Sequence, residues 1–140
     1  MIKKIIRESK RHLFEPDYIE NMNDKYKDIV FKYNISNFKI EDDGLLIFDD
    51  VDLSNKGLKE IPIKINYIVG DLDVSNNPLT SFKNFPKYIK GDLNCSNIPQ
   101  INDVKNFPEK ITGILFLENV DPKTIKKILN KCKCGGVFID

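Results

Sequence analysis

The stretch Val51-Asp-Leu-Ser-Asn55 returns as Leu72-Asp-Val-Ser-Asn76 and again as Leu93-Asn-Cys-Ser-Asn97, each copy 21 residues after the last. A period of that size is the signature of stacked, near-identical units, each too small to bury its own apolar face. Within the copies, Val51/Leu53, Leu72/Val74, Leu93/Cys95 and Leu115/Leu117 alternate with polar residues, so each unit contributes a short strand with two inward side chains. A polar Ser-Asn corner follows, and then a second apolar pair: Leu58/Ile61, Leu79/Phe82 and Ile101/Val104. Phe85-Pro86 and Phe107-Pro108 come next, and Ile68-Val-Gly70, Ile89-Lys-Gly91 and Ile111-Thr-Gly113 lead into the next strand. We assign those glycines the backbone freedom that the turn into the strand demands. The third copy carries one extra residue, Ser96-Asn-Ile-Pro-Gln-Ile101 against Ser75-Asn-Asn-Pro-Leu79.

Upstream of the repeats, Ile2, Ile5, Ile6, Ser9 and Leu13 share one side of a helix predicted over 1–14, and Lys3, Lys4, Arg7, Lys10 and Arg11 cover the rest, with Glu8 the only acid. Pro16 separates it from a second helix whose stripe is Tyr18, Ile19, Met22, Tyr26, Ile29, Val30 and Tyr33, with Asn34 as its stop. Phe38 and Ile40 alternate with polar residues, and Asp43-Gly44 reads as a two-residue hairpin turn before Leu45–Phe48. A terminal repeat leaves its apolar face in water, so this hairpin is expected to cover the open end of the stack. At the other end, Asp121-Pro122 is a helix start, Ile125, Ile128, Leu129 and Cys132 form its apolar face, Gly135-Gly136 ends it, and Val137–Ile139 is a final strand.

The run Leu72-Asp-Val-Ser-Asn-Asn-Pro-Leu-Thr-Ser-Phe-Lys-Asn-Phe-Pro86 resembles the short leucine-rich repeat of bacterial secreted effectors. Gly91–Asn97 is similar to the degenerate repeats of that kind in phage and bacterial proteins. The likeness covers residues 49–113 well, 114–140 loosely and 1–37 not at all. Together with the helices and hairpin read from the residues, it implies an α+β chain: a short leucine-rich-repeat-like solenoid with a parallel β-sheet, residues 1–37 as N-terminal helical arm and 38–140 as solenoid. Within the solenoid, 38–48 is the hairpin cap, 49–113 the core repeats and 114–140 the C-terminal helix and strand cap. It also implies buried asparagines bonding the corner backbone. Asn77 holds that family position, and Lys56 and Ile98 stand there in the neighbouring copies, whereas Asn55, Asn76, Asn97 and Asn119 form an unbroken column one residue earlier. The effector ubiquitin ligases carry a separate catalytic domain with no counterpart here, so that activity is not implied.

The balance of 22 basic against 21 acidic residues gives no reason to expect a nucleic-acid partner. Three cysteines, an odd number, argue against a disulfide framework, and no apolar run is long enough to span a membrane. The expected setting is the cytoplasm. The abundance of Ile, Lys and Asn reads as the mark of an AT-rich genome, such as a phage or low-GC bacterium. His12, the only histidine, sits on the basic helix as a surface residue, which leaves no histidine-based catalytic group. Cys132-Lys-Cys134 supplies two thiols where a closed zinc site takes four ligands, and Cys95 replaces an inward Leu or Val as a small core residue. The chain is therefore expected not to be an enzyme, with no catalytic residue, no metal ligand and no cofactor.

The aspartates carry the functional reading. Because side chains alternate across a strand, Asp50/Asp71/Asp92 and Asp52/Asp73/Asn94 form two outward columns. Like charges on neighbouring strands, ~4.8 Å apart, destabilise a sheet. For the first column the competing role is structural, since Asp at a Gly-Asp corner caps nearby amides. For the second it is an ordinary solvated strand face. The functional expectation is non-catalytic binding of a basic protein partner through these six residues on a concave acidic face, with Glu41, Asp42, Asp43 and Asp49 extending the field. In a phage this would be an inhibitor of a host or defence protein. The alternative is a structural part of a virion or other assembly, anchored by the basic helix.

Overall fold

The computed structural model describes residues 24–140. The helix expected over 1–14 and the start of the second lie outside the described residues. Over the described residues the chain is a mixed α+β structure of two helices and one open, nine-stranded, mostly parallel sheet. Helix α1 (Asp24–Lys32) is the C-terminal part of the expected second helix. It ends at Lys32, just before Asn34 takes a left-handed φ of 54°, and the Ile35 N–H closes the end on the Val30 carbonyl at 2.8 Å. Asparagine and glycine tolerate that conformation best, and a buried apolar residue just past it, here Ile35, completes the motif.

The hairpin forms one residue away from its expected place. Strands β1 (Phe38–Glu41) and β2 (Gly44–Ile47) pair antiparallel with Glu41 opposite Gly44, so Asp42-Asp43 is the turn and Gly44 opens the second strand. The glycine is needed there because a Cβ would lie 2.7 Å from the Lys64 carbonyl oxygen and 2.8 Å from Asn66 Oδ1.

Each later copy then lays down a strand in two short halves: β3 (Val51–Asp52) after β2, β4 (Ile65–Ile68) with β5 (Leu72–Asp73), and β6 (Tyr88–Ile89) with β7 (Leu93–Asn94). In β8 (Lys110–Phe116) the two halves are one continuous strand. All pair in parallel, and the registers carry the repeat: Val51 opposite Leu72, Leu72 opposite Leu93, and Leu93 opposite Leu115. On the other half Tyr67 meets Tyr88, and Ile68, Ile89 and Ile111 align in turn. The expected inward residues are buried without exception from Val51 to Leu117. Behind them Phe82, Phe85 and Phe107 make a cluster with ring centres 4.9 to 6.2 Å apart. Phe82 meets the other two edge-on while Phe85 and Phe107 stack, and both arrangements add stabilisation beyond the area buried.

Two readings of glycine need correction. Gly70, Gly91 and Gly113 do not adopt positive φ; among the described glycines only Gly57 does. Their role is room. A Cβ on Gly91 would meet the Asp71 carboxylate and lie 2.6 Å from the Gly70 carbonyl oxygen, and Gly113 stands in the same relation to Asp92 and Gly91. The glycine of one copy thus packs against the aspartate of the copy before. The corners are instead turned by asparagines: Asn55, Asn76, Asn97 and Asn119 have φ between 55° and 58°, and Asn84 and Asn106 lie at 71° and 72°. Every left-handed non-glycine residue described is an asparagine, so the abundance of that residue has a physical use beyond genome composition.

Helix α2 (Pro122–Lys131) starts as expected, with Asp121 Oδ2 accepting from the Lys123 N–H at 2.9 Å. Gly135-Gly136 does not end it. The helix stops at Lys131, and both glycines lie inside β9 (Lys133–Phe138), which pairs with β8 along its length. Only Gly135 is required by contact: a Cβ there would collide with the Thr112 carbonyl, whereas one on Gly136 would meet nothing closer than Ile114 Cγ1 at 3.8 Å.

Candidate binding face

The six predicted residues, Asp50, Asp52, Asp71, Asp73, Asp92 and Asn94, all line one cleft of about 700 Å³. Three strand corners build it, and the parallel registers Asp52–Asp73 and Asp73–Asn94 set the second column. The hairpin acids Glu41, Asp42 and Asp43 do not line it, and Asp49 instead accepts from Asn37 Nδ2 at 3.2 Å.

The first column is bound into the backbone. Asp50 Oδ1 accepts the Asp71 N–H at 2.8 Å, Asp71 Oδ1 that of Asp92 at 2.7 Å, and Asp92 Oδ1 that of Ile114 at 2.8 Å. Each carboxylate therefore ties its copy to the next, and the interposed N–H dipoles offset the repulsion between like charges. The structural role weighed for this column is present. One oxygen of each is committed in this way, and the others have no protein hydrogen bond among the described residues.

The second column is tied locally. Asp52 Oδ1 accepts from the Ser54 N–H at 3.0 Å and its hydroxyl at 2.6 Å, and Asp73 does the same with Ser75 at 2.9 and 2.6 Å. Asn94 keeps the backbone half of this motif, accepting from the Ser96 N–H at 2.9 Å. The Ser54 hydroxyl and amide hold the Asp52 carboxyl below its ordinary value, so it stays ionised well into the acid range. The Ser-Asn pair of the repeat thus does two things. Its serine orients the acid two residues before it, and its asparagine turns the corner.

Other residues of the cleft were not predicted. The end of α1 supplies Lys32, Tyr33 and Asn34; Lys56, Glu118 and Phe116 complete the lining. Phe116 is the fourth-copy counterpart of Asp52, opposite Asn94 in the sheet, and its position between the inward Leu115 and Leu117 is the signal that could have found it. Its ring lies 5.8 Å from that of Phe138, which is 44% exposed. The face therefore passes from carboxylates in the early copies to aromatic rings in the last ones. The α1 wall has no such signal, because only tertiary packing brings it to β3.

The thiols lie apart from this face. Cys95 is fully buried, and that burial drives its thiol far above the ordinary value. Cys132 is pushed up by burial to about 12, and Cys134, half-buried, is raised by the same cause. A thiol is nucleophilic only as the thiolate. Native alkylation near neutral pH should therefore modify Cys134 slowly and Cys95 and Cys132 only when the chain opens, as mass spectrometry of a time course will show. Rapid modification of Cys132 would contradict this placement. Among the described residues no group of three or more His, Cys, Asp or Glu is disposed to hold a metal, and no helix is long and apolar enough to cross a membrane.

Comparison of the chain with known protein families, with curated proteins and with solved structures found no match.

Proposed function

We propose that the chain is a leucine-rich-repeat-like solenoid that binds a protein partner without catalysis, through the cleft lined by Asp50, Asp52, Asp71, Asp73, Asp92 and Asn94. The observation that carries this is the charge imbalance of that cleft. Five aspartates and Glu118 face only Lys32 and Lys56. A field of that sign on a rigid sheet attracts a basic segment and speeds its encounter. Phe116 and Phe138, at the far end of the same face, offer an apolar seat next to it. The partner segment that fits bears lysine or arginine beside an apolar or aromatic residue.

Reversing the acids to lysine would also break the serine contacts, so neutralisation is the cleaner change. Asparagine keeps the acceptor, as Asn94 does with Ser96. With a short peptide of lysines flanking one aromatic residue as probe, amide shifts should concentrate at Asp52, Asp73, Asn94 and Phe116. Exposed charge pairs contribute ~0.2–1 kcal/mol each, so the Asp52→Asn/Asp73→Asn double variant should bind roughly 2- to 30-fold more weakly. Equal affinity for the double variant and the wild-type chain would remove the acidic face from the proposal.

A further inference from the structure

A second cleft, of about 230 Å³, shares no lining residue with the acidic one. Lys64, Lys87, Lys105 and Lys131 converge on it with a single acid, Glu109, in a chain whose overall charge is only +1. Glu109 is already matched to Lys87 at 3.8 Å, which leaves three ammonium groups without an ion-pair partner among the described residues. Lys64 is the most constrained of them. Half-buried, it donates to the Phe85 carbonyl at 3.1 Å and the Ile65 carbonyl at 3.4 Å. An ammonium has three N–H donors, so one remains, on a group the backbone holds in place. Phe85 and Phe107 form the apolar floor, and Asn106, in its left-handed turn, closes the rim.

From this convergence of lysines on a small cleft we infer a binding site for a free phosphate-type anion, one or two phosphate groups in size. The size follows from the volume, which falls below the ~300 Å³ at which sites for larger ligands begin. The chemistry follows from the donors. Planar carboxylates are best matched by the arginine fork, whereas lysines act as point charges suited to a compact, multiply charged anion. Lys87, Lys105 and Lys131 are exposed and only Lys64 is half-buried, so most of the attraction should weaken as ionic strength rises.

Inorganic pyrophosphate titrated at constant ionic strength, with amide shifts as readout, tests the assignment. Saturable shifts are expected at Lys87, Asn106 and Lys131. Loss of one charge-assisted contact corresponds to about a tenfold weaker affinity, and Lys64→Gln and Lys105→Gln should each show it. Lys105 makes no side-chain hydrogen bond among the described residues, and only its main-chain N–H is engaged, by Asp103 at 2.9 Å, so its variant leaves the fold intact even if that of Lys64 does not. The Asp52→Asn/Asp73→Asn variant should bind pyrophosphate unchanged, which separates this site from the acidic face. Non-saturating shifts, equal shifts with chloride, or indifference to Lys105→Gln would overturn the site. Tighter binding of a phosphopeptide or short RNA than of pyrophosphate would overturn its assignment to a free small anion.

Discussion

Replacing Gly91 with alanine should destabilise the fold by about 3 kcal/mol or more, the upper range for forcing an extra methyl into packed surroundings. The added Cβ would meet the Asp71 carboxylate, the Gly70 carbonyl oxygen at 2.6 Å and the Gly70 carbonyl carbon at 2.8 Å. A side chain can rotate away, but two backbone atoms of the preceding copy cannot. That copy is also held to Gly91 by the bond from the Gly91 N–H to the Gly70 carbonyl at 3.1 Å. Relief would require the copies to separate, breaking the link from the Asp92 N–H to Asp71 at 2.7 Å as well. Combining Gly91→Ala with Asp71→Ala should therefore recover only part of the loss. Gly57 provides the contrast. It has a φ of 67°, and a methyl added there would find nothing within 4 Å, so its alanine variant bears only the left-handed penalty of ~1–2 kcal/mol. Urea unfolding midpoints at constant slope will compare the two. A Gly91→Ala variant no less stable than Gly57→Ala would refute the close-approach account.

The same contact joins scaffold to function. Asp71 and Asp92 are at once the links between copies and two of the acids in the cleft. Spreading the copies at Gly91 would displace carboxylates from the proposed binding face, so weaker peptide binding should accompany the lost stability.

The repeat period made the inward column and its parallel pairing legible, because alternation and a fixed spacing act through local geometry alone. The outward aspartates were legible by the same rule, and so was the place of Phe116, since it stands between Leu115 and Leu117. What sequence patterning could not convey depended on contacts between copies. Glycine at a turn suggests conformational freedom, yet Gly70, Gly91 and Gly113 are there for space, which only the neighbouring copy's backbone reveals. Gly135-Gly136 misled in the same way. A glycine pair reads as a helix stop, but β8 demands close approach at Gly135 and draws the pair into β9. The wall formed by Lys32 and Tyr33 arises from α1 meeting the sheet across distant sequence, and no periodicity encodes it. The lysines of the second cleft come from four separate stretches and were invisible for the same reason.

Asn77→Ala should cost about 4 kcal/mol, a large share of the ~5–15 kcal/mol that a domain has in total. The residue is 2% exposed and uses both ends of its amide. Its Oδ1 accepts from the Lys56 N–H at 2.9 Å and the Leu58 N–H at 3.0 Å, both in the preceding copy. Its Nδ2 donates to the Leu53 carbonyl at 2.8 Å and the Val74 carbonyl at 2.9 Å, one in each copy. Removing the amide strands two donors and two acceptors in a corner that water reaches poorly, at ~1–3 kcal/mol for each unsatisfied buried group, reduced by whatever relaxation admits. Aspartate is no substitute, because its carboxylate would face the Leu53 and Val74 carbonyls with no proton to give. Asn77→Asp should therefore be at least as damaging near neutral pH and partly recover in acid, where the protonated carboxyl can again donate. Ile98 stands in the equivalent place in the copy with the extra residue. That copy's own Ile101 N–H, the counterpart of the Leu58 N–H, is served from α2: the buried Thr124 hydroxyl accepts from it at 3.1 Å and donates to the Ile101 carbonyl at 3.3 Å. Urea denaturation of the two Asn77 variants at neutral and acid pH distinguishes these roles: equal losses at both pH values for Asn77→Asp would show that the donated bonds are not what the corner needs.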